Sequence, residues 1–321
     1  MIPPHSESLA PNGSARKINT LTVLAAAVVI LVVAYQIRVA TLQPVPSHPV
    51  SAHQEMLVMA HRGGRGLWPE NTLYAFRRAL ALGADALDFD IHGLNDGTLV
   101  VLHDDTVDRT TNGSGAVRDF ALSDLQKLDA GYRWTMDDGR NFPFRGQGIT
   151  IPTLAEVFIE FPRTRMNIEI KDAAPGIHAN FCRLIHAYAM EDRVTAAAFS
   201  TETIRGFRAA CPGVATAAAT GEVLPFYLLH MLRLGRTWHP AAETLQIPAY
   251  RDGRRLLTER LVQTAHAHGM KVYAWTINDV NEMRALLAAG VDGIITDYPE
   301  RLLGMLGGTS PHIAPRRYEY N

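Results

Sequence analysis

Three acidic residues, two histidines and two basic residues carry the chemistry legible in this chain. Asp88 and Asp90 stand two apart in the apolar run Ala86 to Ile91, so on a strand both carboxylates project from one face. Two like charges held together raise one another's pKa unless a cation neutralises them. A lone Asp-x-Asp is equally a solvated strand end. Adding Glu169, beside Lys171 in a second apolar run, makes a three-carboxylate, all-oxygen set that suits Mg²⁺ or Ca²⁺ far better than zinc. His61 and His103 each follow an apolar run, and imidazole titrates nearest neutral pH, which makes them a candidate general acid and base. Either alone would read as a hydrogen-bonded core histidine; the neighbours Arg62 and Asp104 set them apart from the rest of the 13 histidines. Arg62 and Lys171 add fixed positive charge. A divalent metal with fixed cations stabilises a phosphoryl group whose charge builds in the transition state, so the implied substrate is a phosphate ester. No G-x-x-x-x-G-K-[ST] loop is present, which disfavours nucleotide hydrolysis.

These residues lie at the ends of predicted elements. Short apolar runs predict strands over 57–60, 86–91, 99–102, 166–170, 195–199, 214–218, 244–247, 271–275 and 293–296. Amphipathic patterns predict helices over 72–82, 153–160, 177–190, 203–210, 222–234, 256–268 and 281–289. With 99–102 read as an extension of the second strand, the alternation gives eight β/α repeats, an α/β fold closed as a TIM (β/α)8 barrel. The carboxyl ends of such strands converge on one mouth, which gathers His61, Asp88, Asp90, His103, Glu169, Lys171, Ser200, Trp275, Asn278 and Asp297. Residues 105–150, rich in Gly, Asp, Arg and Thr with one short helix over 123–128, break the alternation and read as a small inserted subdomain after strand 2, placed to act as a lid.

The chain has 321 residues, 31 Lys and Arg against 32 Asp and Glu, and 47% hydrophobic residues. A net charge of -1 argues against a sequence-independent nucleic-acid partner, and the apolar content argues against disorder. One apolar block, 18–38, is long enough to cross a bilayer. It reads as a transmembrane signal anchor between a cytoplasmic tail, 1–17, and a Pro-containing linker, 39–55; a cleaved signal peptide is the competing reading. Arg16 and Lys17 before the block favour an outward-facing barrel, 56–306, on the periplasmic or extracytoplasmic side, with a C-terminal tail, 307–321. Cys182 and Cys211 could pair if the domain faces an oxidising compartment, but two buried small apolar side chains is the favoured reading. The apolar stretch 224–235 is expected to be the buried face of a barrel helix, with an acyl-binding or membrane-facing surface as the alternative.

At these residues the sequence resembles the glycerophosphodiester phosphodiesterase family. AHRGGRGLWPENT (60–72) matches that family's H-R-G and P-E-N-T opening, and LDFDIHGLNDGTLVVLHDDTVDRTTNGSG (87–115) its acidic-strand, D-G and H-D block. NIEIK (167–171), VYAWTIND (272–279) and GVDGIITDYP (290–299) follow in order, so the likeness covers roughly 57–305. The resemblance implies a TIM barrel and metal-dependent hydrolysis of a glycerophosphodiester to sn-glycerol 3-phosphate and an alcohol. It implies His61 and His103 as the acid/base pair and Asp88, Asp90 and Glu169 as ligands of one divalent cation, with Glu70 next to or in the metal shell. Arg62 and Lys171 would hold the phosphate and Trp275 would line the substrate pocket; Asn71 is equally an N-cap of the following helix. The family usually carries Glu where this chain has Asp88, one methylene shorter. The expected route is attack by the substrate's own 2-hydroxyl, giving a cyclic phosphate that water opens. The alternatives are a lysophospholipase D using the same chemistry on lysophospholipids, and a catalytically inactive binding barrel.

Overall fold

The computed structural model describes residues 20–171, 174, 176–239 and 241–307. The expected tail 1–17, and that at 307–321 beyond its first residue, lie outside the described residues. The chain divides into two compact units after Leu42. The first contains α1 (Thr20–Thr41), whose only charged residue is Arg38. Its 22 residues extend about 33 Å at the α-helical rise, enough for a hydrocarbon core of roughly 30 Å.

The second unit runs in chain order through β1 (Leu57–His61), α2 (Leu73–Leu82), β2 (Ala86–Gly93), β3 (Leu99–Val101), α3 (Leu122–Leu125), α4 (Leu154–Glu160), β4 (Arg165–Ile170) and α5 (Ile177–Ala187). It continues through β5 (Val194–Ala197), α6 (Thr201–Ala210), β6 (Ala215–Thr216), α7 (Thr220–Met231), β7 (Thr244–Pro248), β8 (Tyr250–Arg251) and β9 (Arg254–Arg255). The last elements are α8 (Glu259–His266), β10 (Lys271–Trp275), α9 (Val280–Ala288), β11 (Gly293–Thr296) and α10 (Pro299–Met305). Eight parallel strands follow one another as β6, β5, β4, β2, β1, β11, β10 and β7. A parallel bridge between Ala217 and Thr244, with bonds from Ala218 N to Thr244 O and Glu243 N to Thr216 O, joins the two ends. The result is the expected (β/α)8 barrel. β3 pairs antiparallel with β2, so the predicted extension is the return arm of a hairpin. Its turn, Asn95 to Gly97, supplies the signal: Gly97 adopts φ +85°, which a side chain disfavours.

Strand alternation sorts side chains to the two faces of the barrel wall. Val58, Ala60, Leu87, Phe89, Ile168 and Ile294 point outward into the layer between strands and helices, where they are buried. Leu57, Met59, Ala86, Tyr273 and Ile295 point inward and form an apolar floor. The chain before β1 seals the foot. Val50, Ser51 and His53 are buried there, and His53 bonds the Tyr273 hydroxyl at 3.0 Å and the Glu55 carbonyl at 2.8 Å. Part of the segment that composition marks as a linker is thus held against the barrel. The insertion has a core of its own around Val107, Val117, Leu125, Ala130, Ile149 and Ile151, packed on Val100 and Leu102.

Two expectations are corrected. α7 does not bury the apolar stretch that follows β6: Phe226 and His230 face inward, but Leu224, Leu228, Met231 and Leu232 are more than half exposed. The cysteines are paired rather than free. Cys182 on α5 and Cys211 at the end of α6 form a disulfide with Cα atoms 5.3 Å apart, because α5 and α6 are neighbours in the outer ring, a proximity that 29 residues of sequence separation conceal. Closing a loop of that length removes unfolded-state entropy equivalent to about 3.5 kcal/mol at most. The double substitution Cys182→Ala/Cys211→Ala is therefore expected to lower Tm by roughly 5–10 °C with kcat unchanged, checked by thermal denaturation and assay.

Candidate active site

Inside the barrel, polarity rises from foot to mouth. Above the apolar floor, register pairs Asp88 of β2 with His61 of β1 on one side and Asn167 of β4 on the other. Asn167 donates to the Asp88 carboxylate at 2.6 Å and exchanges bonds with Gln246 of β7 at 2.7 and 3.1 Å, so an amide pair spans the barrel beneath the mouth. One step higher, Asp90 pairs in register with Glu169, and the Lys171 ammonium bridges them at 3.3 and 3.0 Å. Trp275, at the end of β10, meets the exposed Phe199 edge-on with centroids 5.6 Å apart.

Each histidine is held by its own carboxylate. His61 Nδ1 lies 2.6 Å from Asp297, just beyond β11, and Asp297 also accepts from Arg65 at 2.8 Å and Asn278 at 2.8 Å. His103 Nδ1 lies 2.6 Å from Asp104. Asp104 is gripped by Arg109 at 2.6 and 3.0 Å, and the same guanidinium donates to both oxygens of Glu70 at 2.7 and 2.8 Å. Arg62 adds a third bond to Glu70, at 2.7 Å, so both Glu70 oxygens are taken by arginines. Asn71 donates to Asp90 at 3.0 Å from a left-handed backbone, and its own amide bonds the Arg62 carbonyl at 2.9 Å. The helix cap assigned to Asn71 from sequence belongs instead to Thr72, whose hydroxyl accepts from Ala75 N. All nine predicted site residues thus surround one mouth.

The model of the glycerophosphoryl diester phosphodiesterase family matches residues 61–301, which contain every one of these groups. The chain belongs to that family. It is accordingly an enzyme, a phosphoric diester hydrolase. It is 38% identical over 255 residues to a glycerophosphodiester phosphodiesterase of Caldanaerobacter subterraneus subsp. tengcongensis, covering 78% of this chain and 97% of that protein. It is 26% identical over 281 residues to the lysophospholipase D GDPD1 of Rattus norvegicus, covering 78% of this chain and 86% of that one. Among solved structures, the phosphodiesterase OLEI02445 of Oleispira antarctica, in complex with the product sn-glycerol-3-phosphate, matches with a TM-score of 0.59 at 26% identity over 77% of this chain and 95% of that one.

In this family member the sequence conceals two kinds of site residue. Arg109 lies inside the irregular insertion, where nothing in its spacing marks it. Asn167 and Gln246 are inward residues of strands, and only register shows that they face Asp88 and one another.

The charges do not balance evenly. Arg62 and Arg109 answer Glu70 and Asp104, and Arg65 answers Asp297. Asp88, Asp90 and Glu169 are left with Lys171 and a distant Arg62 Nε, 3.5 Å from Asp90. Burial pushes the Asp88 carboxyl up to about 6 despite His61 and Asn167, with Asp90 adding repulsion. Burial likewise pushes Glu169 up to about 7 against the pull of Lys171, again with repulsion from Asp90. This excess of buried negative charge on oxygen donors fits a divalent cation. Elsewhere pairing wins. Burial alone would raise Asp297 and Glu70, but the bonds and charge of His61 on the first, and of Arg109 and Arg62 on the second, hold both at about 2.

A carboxyl whose folded pKa is raised binds its proton more tightly folded than unfolded. Its stabilising contribution is present below the ordinary range near 4 and is lost as pH rises through the folded value. Asp297 and Glu70 stay ionised throughout that window. Added Mg²⁺ or Ca²⁺ is therefore expected to raise Tm far more at about pH 8 than at about pH 5. A cation effect independent of pH, measured by calorimetry, would sink this account of the three carboxylates.

Proposed function

We propose that the enzyme hydrolyses glycerophosphodiesters to sn-glycerol 3-phosphate and an alcohol in a divalent-metal-dependent reaction, with His61 and His103 as the acid/base pair and a cyclic phosphate as intermediate. The observation that carries it is the pair of imidazoles, each fixed through Nδ1 by its own carboxylate, beside a cluster of three carboxylates. With Nδ1 so held, Nε2 is the nitrogen left to take or give a proton. Asp88, Asp90 and Glu169 would hold Mg²⁺ or Ca²⁺, which supplies Lewis-acid polarisation of substrate oxygens. One imidazole accepts the proton of the substrate's 2-hydroxyl as it attacks phosphorus, and the other protonates the leaving alcohol. Water then opens the ring with the roles exchanged. Asp297 and Asp104 keep the rings oriented and stabilise the imidazolium forms.

Arg62 Nε is buried without a hydrogen-bond partner, and a phosphate oxygen would satisfy that donor, with Lys171 as the second cation. Glu70 then stands next to the metal set and fixes Arg62 and Arg109. Trp275 with Phe199 lines the wall against which the alcohol rests. For the chain as a whole, α1 is a single-pass membrane anchor with the barrel outside. The Cys182–Cys211 disulfide supports the outer side, since such bonds persist in oxidising compartments. A lysophospholipase D activity is the second reading. The exposed Phe199 beside Trp275 favours it, an apolar surface where an acyl chain could lie.

Assays of glycerophosphocholine and lysophosphatidylcholine with Mg²⁺, Ca²⁺ or chelator are expected to show metal-dependent turnover of the first at least; turnover confined to the second would establish the alternative. His61→Ala and His103→Ala should each lower kcat by about 10²–10⁴-fold. Phosphorus NMR under slow turnover should detect the cyclic phosphate, and normal hydrolysis of 2-deoxy substrates would exclude it. Asp88→Glu should keep or raise activity; a collapse equal to that of Asp88→Ala would show a site built around the shorter side chain.

A further inference from the structure

α7 wears its apolar stripe on the outside. Leu224, Leu228, Met231 and Leu232 recur at the i, i+4, i+7, i+8 spacing of one helical face and are 57, 55, 59 and 69% exposed. A barrel helix ordinarily turns its apolar side to the strands, and here Phe226 and His230 already do so. The outward stripe therefore contributes nothing to the core, and a contiguous exposed apolar surface of this kind marks a contact.

Along the chain past α7 the charge has one sign. Between Glu222 and Glu243 there is no acidic residue, whereas Arg233 and Arg236 are exposed just past the helix and Trp238 is half-buried beside them. Large aliphatic side chains on one face, edged by arginines and an indole, form the composition of a helix lying in a bilayer headgroup region. The arginines match anionic headgroups.

The chain's own route points to the same edge of the barrel. Val45 N donates to the His268 carbonyl at 2.9 Å, and His268 Nε2 bonds the Gly235 carbonyl at 2.9 Å. The entering chain is thus one residue removed from the turn after α7. In the sequence, Leu42, Gln43 and Pro44 are the residues between α1 and Val45.

We infer that the outward face of α7 and the turn after it dock onto the lipid surface of the membrane that α1 crosses. This rests on the reading of α1 as a membrane span. It gives the barrel a second, non-covalent hold on the bilayer and a fixed orientation toward it.

The test uses the full chain in phosphatidylcholine vesicles containing phosphatidylglycerol. Nitroxide labels are placed through Leu228→Cys and Leu232→Cys on α7, and through Ile159→Cys on α4, an aliphatic residue 62% exposed on another barrel helix. The native cysteines are disulfide-bonded and do not take the label. At 228 and 232, collisions with oxygen are expected to rise and collisions with a water-soluble nickel chelate to fall several-fold relative to 159. Chelate access equal to that at 159 in chains that float with the vesicles would overturn the docking of α7 and leave the anchor standing. Labels shielded from both reagents would indicate a protein partner, and would also overturn it. Failure of the full chain to float would overturn the anchor and this inference together.

Discussion

Repulsion among three inward carboxylates is the constraint around which the mouth of this barrel is organised. Asp88, Asp90 and Glu169 are drawn together by strand register, with no freedom to move apart, because each belongs to a strand whose outward neighbours are locked in the core. A buried charge cluster of this kind is tolerable only where opposite charge and hydrogen bonds surround it. The surroundings supply both: Lys171 two residues beyond Glu169, Arg62 one residue beyond His61, and the Asn167–Gln246 pair beneath. The supply falls short of full compensation and leaves net negative charge buried at the mouth.

The insertion takes part in this arrangement. Arg109 reaches from it to Glu70 and Asp104, and so couples the segment after β1 to the segment that carries His103. A long exposed loop could not hold a guanidinium in so fixed a place against its side-chain entropy. The hydrophobic cluster of the insertion, built on Val107, Val117 and Ile149, makes the placement rigid. The segment is a built wall of the site.

Much of this was legible in the residues. The eight strands are apolar runs bounded by turn residues, and each places its side chains by period two, so Asp88 with Asp90, and Glu169 with Lys171, share a side by spacing alone. What the sequence hid has three physical causes. Partners across the barrel, such as Asn167 with Gln246, are fixed by closure, a property of all eight strands at once. The pairing of Cys182 with Cys211 depends on the adjacency of two outer helices. The outward stripe of α7 has the same period as an inward one, and period alone does not say which side of a helix meets the strands. Asn71 misled for a local reason: Asn and Thr are both good caps, and the left-handed backbone at Asn71 shifts the cap one residue along.

The bond between His61 and Asp297 joins the first strand of the barrel to the residue after the last, 236 positions later. β1 also lies between β2 and β11, so the ring has no complete wall until the final strand is in place. A chain still emerging from the ribosome therefore carries His61 without its carboxylate and a barrel without its seam. The order of the sequence thus withholds the carboxylate partner of His61 until the last strand has been made.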